Sequence, residues 1–233
     1  MTYYLIIGIT FLVSIIVNTI LKNKFITYSK LRLHSTNMSG KEIAEKMLID
    51  HGIYDVKVLY TEGDLMDHYN PLNKTINLSE KVYYESSTAA IAVASHECGH
   101  ALQHKLGYNL LKFRNHLISI LNFSSIFINL AIISGLTLFY NSGGNNSFIL
   151  QLGIGSFFLV VCFSFITLPI EFNASNRALN WMKNKNIVNY QEYQKAKESL
   201  NWAAMTYVVS ALGSLAQLLY FLSMFTTTEK EDH

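Results

Sequence analysis

Val93-Ala94-Ser95-His96-Glu97-Cys98-Gly99-His100-Ala101-Leu102-Gln103-His104 is the stretch on which the reading of this chain turns. It holds one H-E-x-x-H inside an alanine-rich run, and alanine is the strongest helix former. On a helix each residue advances about 100°, so positions four apart share a face about one turn apart. His96 and His100 therefore aim two imidazoles at one point, which suits a tetrahedral Zn²⁺. Glu97 lies one step round, within reach of water activated at that point without being a ligand itself. A five-letter pattern with two wildcards also arises by chance, so the rest of the chain must supply what the motif lacks.

Outward from the motif, composition points to a membrane. Charged residues are 15% of the 233, against about 25% in ordinary soluble domains. Half the chain is hydrophobic, concentrated in four uncharged runs: Tyr3 to Leu21, Leu117 to Phe139, Phe148 to Ile170 and Ala203 to Phe225. The first has 19 residues, enough to cross a hydrocarbon core of about 30 Å, and no small-residue cleavage site follows it. It reads as a retained anchor. A net charge of +2 with no aromatic-basic patch gives nucleic acid no footprint. Cys98 and Cys162 form no CxxC and read as two small buried residues.

The expected fold is mainly α and multi-pass: four transmembrane helices plus a small α+β, zincin-like cytosolic segment carrying the motif helix. The boundaries read as an anchor at 1–21, the cytosolic segment at 22–116 and two spans at 117–170 with a short outer loop. A cytosolic helical segment at 171–202, a span at 203–226 and a tail at 227–233 complete it. Within 22–116, Ser39 with Glu42 three residues on resembles a capping box, followed by helical periodicity up to Gly52. Val56, Val58 and Tyr60 alternate as in a strand. Met66 to Asn70 and Thr75 to Leu78 read as two more extended pieces around the turn Pro71-Leu72-Asn73-Lys74. The motif helix is capped by Ser86 or Ser87 and ends near Leu106, before Gly107.

Basic residues set the orientation. Of 18 Lys and Arg, 12 lie between the first and second runs, five between the third and fourth, none in the link Tyr140 to Ser147, and one in the tail. Basic loops remain in the cytoplasm, which puts His96, Glu97, His100 and Glu171 on one side of a cell membrane.

A catalytic zinc usually takes three protein ligands and leaves the fourth position to water. A third histidine six residues past His100 would fall on Leu106, so the metzincin pattern is excluded. No Asp or Glu occurs between 101 and 170, and Glu171 is the first acidic residue after Glu97. Glu171 stands at the mouth of the third run, where it is either the missing ligand or an interfacial charge.

The motif stretch and Leu168-Pro169-Ile170-Glu171-Phe172-Asn173-Ala174-Ser175-Asn176-Arg177-Ala178-Leu179 together resemble the YugP-type membrane zinc metallopeptidases of bacteria. Asp67-His68-Tyr69-Asn70-Pro71 and Ile76-Asn77-Leu78-Ser79 match the same family, and the resemblance covers nearly the whole chain. The family is similar in plan to the CAAX prenyl proteases and HtpX-type proteases, whose Glu ligand sits in E-x-x-A-D on a helix at a membrane span. The resemblance implies Glu171 as third ligand and a gluzincin-like hydrolase with Glu97 as general base. Ser175 stands where those relatives carry Asp, and Asn173 where this family is expected to carry an acid.

The expected partners are Zn²⁺, a peptide or membrane-protein substrate and the lipid bilayer. His104, His68 and Arg177 are candidates for the outer shell of the metal or for substrate contact. The rival readings are a non-catalytic membrane scaffold or adaptor with a structural or vestigial zinc, and a hydrolase acting on something other than peptides. A transporter would need charges at mid-span, and these runs carry none.

Overall fold

The structure, a computed structural model, describes residues 2–143 and 148–231. Residues 1, 144–147 and 232–233 lie outside the described residues, as do the side chains at 2, 3, 119, 122–125 and 225–231. The elements are α1 (Thr2–Ser29), α2 (Gly40–Asp50), β1 (Lys57–Thr61), β2 (His68–Asn70), β3 (Thr75–Ser79), α3 (Glu80–Tyr84), α4 (Thr88–Lys105), α5 (Asn109–Asn141), α6 (Phe148–Asn184) and α7 (Tyr190–Glu231). They form two compact units. One comprises Met1–Ile15, Phe113–Leu168 and Tyr207–His233; the other comprises Ile16–Lys112 and Pro169–Thr206.

Three helical stretches are long and apolar enough to cross a membrane: Tyr4–Ser29, Phe148–Asn184 and Tyr190–Met224. The four expected spans are therefore three among the described residues. The second run, Leu117 to Phe139, lies in α5, but side chains 119 and 122–125 are outside the description. The apolar piece that remains, Ile126–Asn141, rises only about 24 Å at 1.5 Å per residue, short of a core of about 30 Å.

In the first, apolar unit, Ile128, Ile132, Leu150, Ile154, Leu218 and Phe221 pack together. A Cβ on Gly135 would lie 2.6 Å from the Leu150 backbone, so α5 and α6 approach there at a distance only glycine permits. Polar side chains in this unit bond back to their own helix: Ser134 to the Leu130 carbonyl, Thr137 to Ile133, Ser164 to Val160 and Thr167 to Phe163.

The second unit is built on caps and a small sheet. Ser39 Oγ accepts from the Glu42 N–H while Glu42 accepts from the Ser39 N–H, the reciprocal capping box that starts α2. Asn70 Oδ1 accepts from the Leu72 and Asn73 amides, folding the link between β2 and β3 back on itself. The strand order is β1-β3-β2, with β1 parallel and β2 antiparallel to β3, so β2 is an edge. Ile43, Met47, Ile76, Leu78 and Ile91 are wholly buried between sheet, α2 and α4, each worth about 1.5–3 kcal/mol of transfer free energy. Cys98 is buried here and directs its Sγ to the Ala44 carbonyl; both cysteines are free thiols.

Candidate metal centre

Every group of the centre lies in the second unit. Ser87 Oγ accepts from the Ala90 N–H and starts α4; Leu106 caps its end, and Gly107 follows with φ +64°. His96 and His100 are one turn apart on that helix. Glu171 lies on α6, two residues past Pro169, whose missing N–H interrupts the helical bonding just ahead of it. The two helices meet at Gly99 and Ala174. A Cβ on Gly99 would stand 2.5 Å from the Ala174 carbonyl oxygen and 3.0 Å from its carbonyl carbon and Cα, so nothing larger than glycine fits.

That contact brings three donors together. His96 Nε2 and His100 Nε2 are 3.2 Å apart, and Glu171 Oε2 is 3.3 Å from the first and 3.5 Å from the second. Two donors about 2.0–2.1 Å from one ion at the tetrahedral angle are separated by about 3.3 Å. The triangle therefore has the dimensions of one face of a zinc tetrahedron, made of the nitrogen and oxygen donors that zinc prefers. It is the only such group of His, Cys, Asp or Glu among the described residues. Burial disfavours charge on His100, and the carboxylates of Glu171 and Glu97 more than offset it, raising its pKa. A cluster that attracts a proton in this way also attracts a metal cation.

Both imidazoles have their other nitrogen occupied. His96 Nδ1 is 3.0 Å from Ser175 Oγ, and His100 Nδ1 is 3.1 Å from Gln103 Oε1. Such partners hold the ring planes. Ser175 is one helical turn after Glu171, so one face of α6 supplies a donor to the centre and a partner for the opposite imidazole.

Glu97 Oε2 accepts from the Tyr69 backbone N–H at 2.8 Å, so strand β2 fixes this carboxylate next in sequence to His96. Asp67, two residues earlier, accepts from the Ser79 amide and hydroxyl; burial pushes its carboxyl up to about 6, and the charge of Glu97 adds to this. The Tyr69 phenol, raised to about 12 by burial and by Asp55, meets His104 Nδ1 at 2.7 Å. Both line a cleft of about 300 Å³ with Asp55, Val56, Lys74 and Ala101. His68 is exposed, with its ring nitrogens taken by the Met66 carbonyl and the Asn77 amide of its own sheet, and it is not brought to the three donors. Arg177 Nε donates to Asn173 Oδ1 at 2.7 Å.

With the geometry in hand, sequence comparison is decisive. The family model described as "Putative neutral zinc metallopeptidase" matches residues 3–226. The chain belongs to this neutral zinc metallopeptidase family. It is also 40% identical over 211 residues to the "Putative membrane protease YugP" of Bacillus subtilis (strain 168), covering 91% of each chain. No solved structure matches. For a member of the zinc metallopeptidase family, a zinc site of two histidines and a glutamate suits the donor set found here.

Three residues of this centre were not legible as such: Gln103, Asn173 and Ser175. For two of them a spacing signal existed. Gln103 is three residues past His100 and Ser175 four past Glu171, intervals that share a helix face. Tyr69 acts through its backbone, which no side-chain pattern reports.

Proposed function

We propose that this chain is a membrane-embedded zinc peptidase with His96, His100 and Glu171 as ligands and Glu97 as general base. The observation that carries it is the donor triangle of 3.2, 3.3 and 3.5 Å with Glu97 fixed beside it. When bound, zinc supplies Lewis acidity, making water a nucleophile near neutral pH and polarising a carbonyl. Glu97 takes a proton from the attacking water and passes it to the leaving amine. The Tyr69 N–H holds that carboxylate in place. Edge strand β2, which carries Tyr69, offers an extended peptide a place to add as a further strand. Tyr69 and His104 line the cleft next to it and are placed to contact substrate. The excess of Lys and Arg in 22–116 and 171–202 supports a cytoplasmic location for these segments.

Metal content and proteolysis, measured together on full-length protein in detergent, test the reading. Wild type holds near one zinc per chain and cleaves an unfolded protein. Glu97→Gln keeps the zinc and loses about 10²–10⁴-fold in rate. Glu171→Ala loses the zinc. A wild-type chain that holds zinc and cleaves no unfolded or membrane substrate would instead favour a scaffold with a structural metal.

A further inference from the structure

Zinc peptidases need their imidazoles in one tautomer, and a carboxylate or backbone carbonyl behind the ring usually imposes it. Neither stands behind His100. Its Nδ1 faces the side-chain amide of Gln103, a group that presents either a donor or an acceptor according to how it is turned. Two neighbours remove that freedom. Gln103 is wholly buried, and its other amide atom lies 2.8 Å from the Ile170 carbonyl oxygen and 3.0 Å from Asn173 Oδ1. The Ile170 carbonyl can only accept, so the atom facing it is the Gln103 nitrogen. Asn173 is itself fixed by Arg177, whose Nε can only donate, so the Asn173 atom facing it is the oxygen. Turning Gln103 over would set its oxygen against two acceptors in a place water does not reach.

We propose that Arg177, Asn173 and Gln103 form an amide chain that fixes, without any carboxylate, the tautomer in which His100 presents Nε2 to the metal. The inference rests on the zinc reading above. Each link decides the next: the guanidinium orients the Asn173 amide, Asn173 and the Ile170 carbonyl orient Gln103, and Gln103 Oε1 requires the proton on His100 Nδ1. His96 is treated differently, because the Ser175 hydroxyl accepts or donates equally well and selects neither tautomer. The three are positioning residues; none reaches the donor triangle.

Zinc affinity of the full chain in detergent, read by competition with a chromophoric chelator, tests the chain link by link. Gln103→Met and Asn173→Leu should weaken binding about 10–100-fold, the cost usual for losing an outer partner of a ligand. Asn173→Asp should remain within about threefold of wild type, because a carboxylate oxygen still accepts from both Gln103 and Arg177. Arg177→Met should fall between these. The visible bands of bound Co²⁺ should shift in Gln103→Met and stay in place in Asn173→Asp, which a purely structural role would not produce. If Gln103→Met does not fold, the Asn173 pair, at a half-buried site, decides the matter. Gln103→Met binding within about twofold of wild type, or Asn173→Asp as weak as Asn173→Leu, overturns the amide chain alone. A wild-type protein that takes up no metal overturns the zinc reading and this inference with it.

Discussion

The two units of this molecule treat polar side chains in opposite ways. In the apolar unit Ser134, Thr137, Ser164 and Thr167 return their protons to carbonyls of their own helices. In the other unit Glu97, His96, His100, Gln103 and Asp67 are each bonded across to another element or to a neighbour on their own helix that is itself held from elsewhere. The buried carboxylates among the described residues, Glu97, Glu171 and Glu192, all belong to that second unit. A bond within one turn satisfies a group without specifying tertiary structure. A bond across elements fixes a distance, and a metal centre is a set of fixed distances.

The close-packed glycines break this comparison most sharply. Gly99→Ala forces a methyl into the Ala174 backbone, a strain of about 1–3 kcal/mol or more, and separates the helices that carry the donors. Zinc content should fall towards zero together with the melting temperature. Gly135→Ala meets the Leu150 backbone just as closely, and should lower the melting temperature at a similar cost while zinc per folded chain stays at the wild-type value. Equal loss of zinc in both variants would mean that the centre depends on general stability and not on the Gly99 contact.

Asp67 sharpens the comparison through pH. Its pKa is raised by burial from an unfolded value near 3.8 to about 6. The folded state thus binds that proton more tightly. The associated stability is complete below about pH 4 and is lost as pH rises through 6, amounting to about 3 kcal/mol over two pKa units. In excess chelator, wild type should lose about that much relative to Asp67→Asn between pH 4 and 7. A gap between their melting temperatures that does not change with pH would refute the assignment. The smallest effect compares two serines: Ser175→Ala should weaken zinc binding about tenfold, whereas Ser164→Ala should change stability by less than about 0.5 kcal/mol and leave zinc binding unaltered.

Local signals were readable wherever the chemistry was local. The capping box at Ser39 and Glu42, the Ser87 cap and the Gly107 stop all appear in sequence because each involves residues within four positions. Glu171 stood out as the first acid after Glu97, and the family resemblance named it as third ligand; the structure sets its Oε2 3.3 Å from His96 Nε2. Three features were not. Helix α3, Glu80–Tyr84, is too short for periodicity to register. Helix α1 runs to Ser29, past the apolar run that ends at Leu21, because Phe25 and Tyr28 are buried in the second unit and Lys24 pairs with Glu198 of α7. The order β1-β3-β2 depends on pairings between strands, which alternation within one strand does not encode. The amide chain behind His100 was hidden for a similar reason: Gln103 and Asn173 are 70 positions apart.

The two imidazoles and the carboxylate are contributed by segments 71 positions apart, from His100 to Glu171. A ribosome that has released the first hundred residues has made both histidines and the would-be base, but no third donor. On the proposed assignment the growing polypeptide cannot cut its neighbours during synthesis. On that same assignment the donor set is complete only after the helix bearing Glu171 has emerged and docked, so the order of synthesis itself would act as a safety catch.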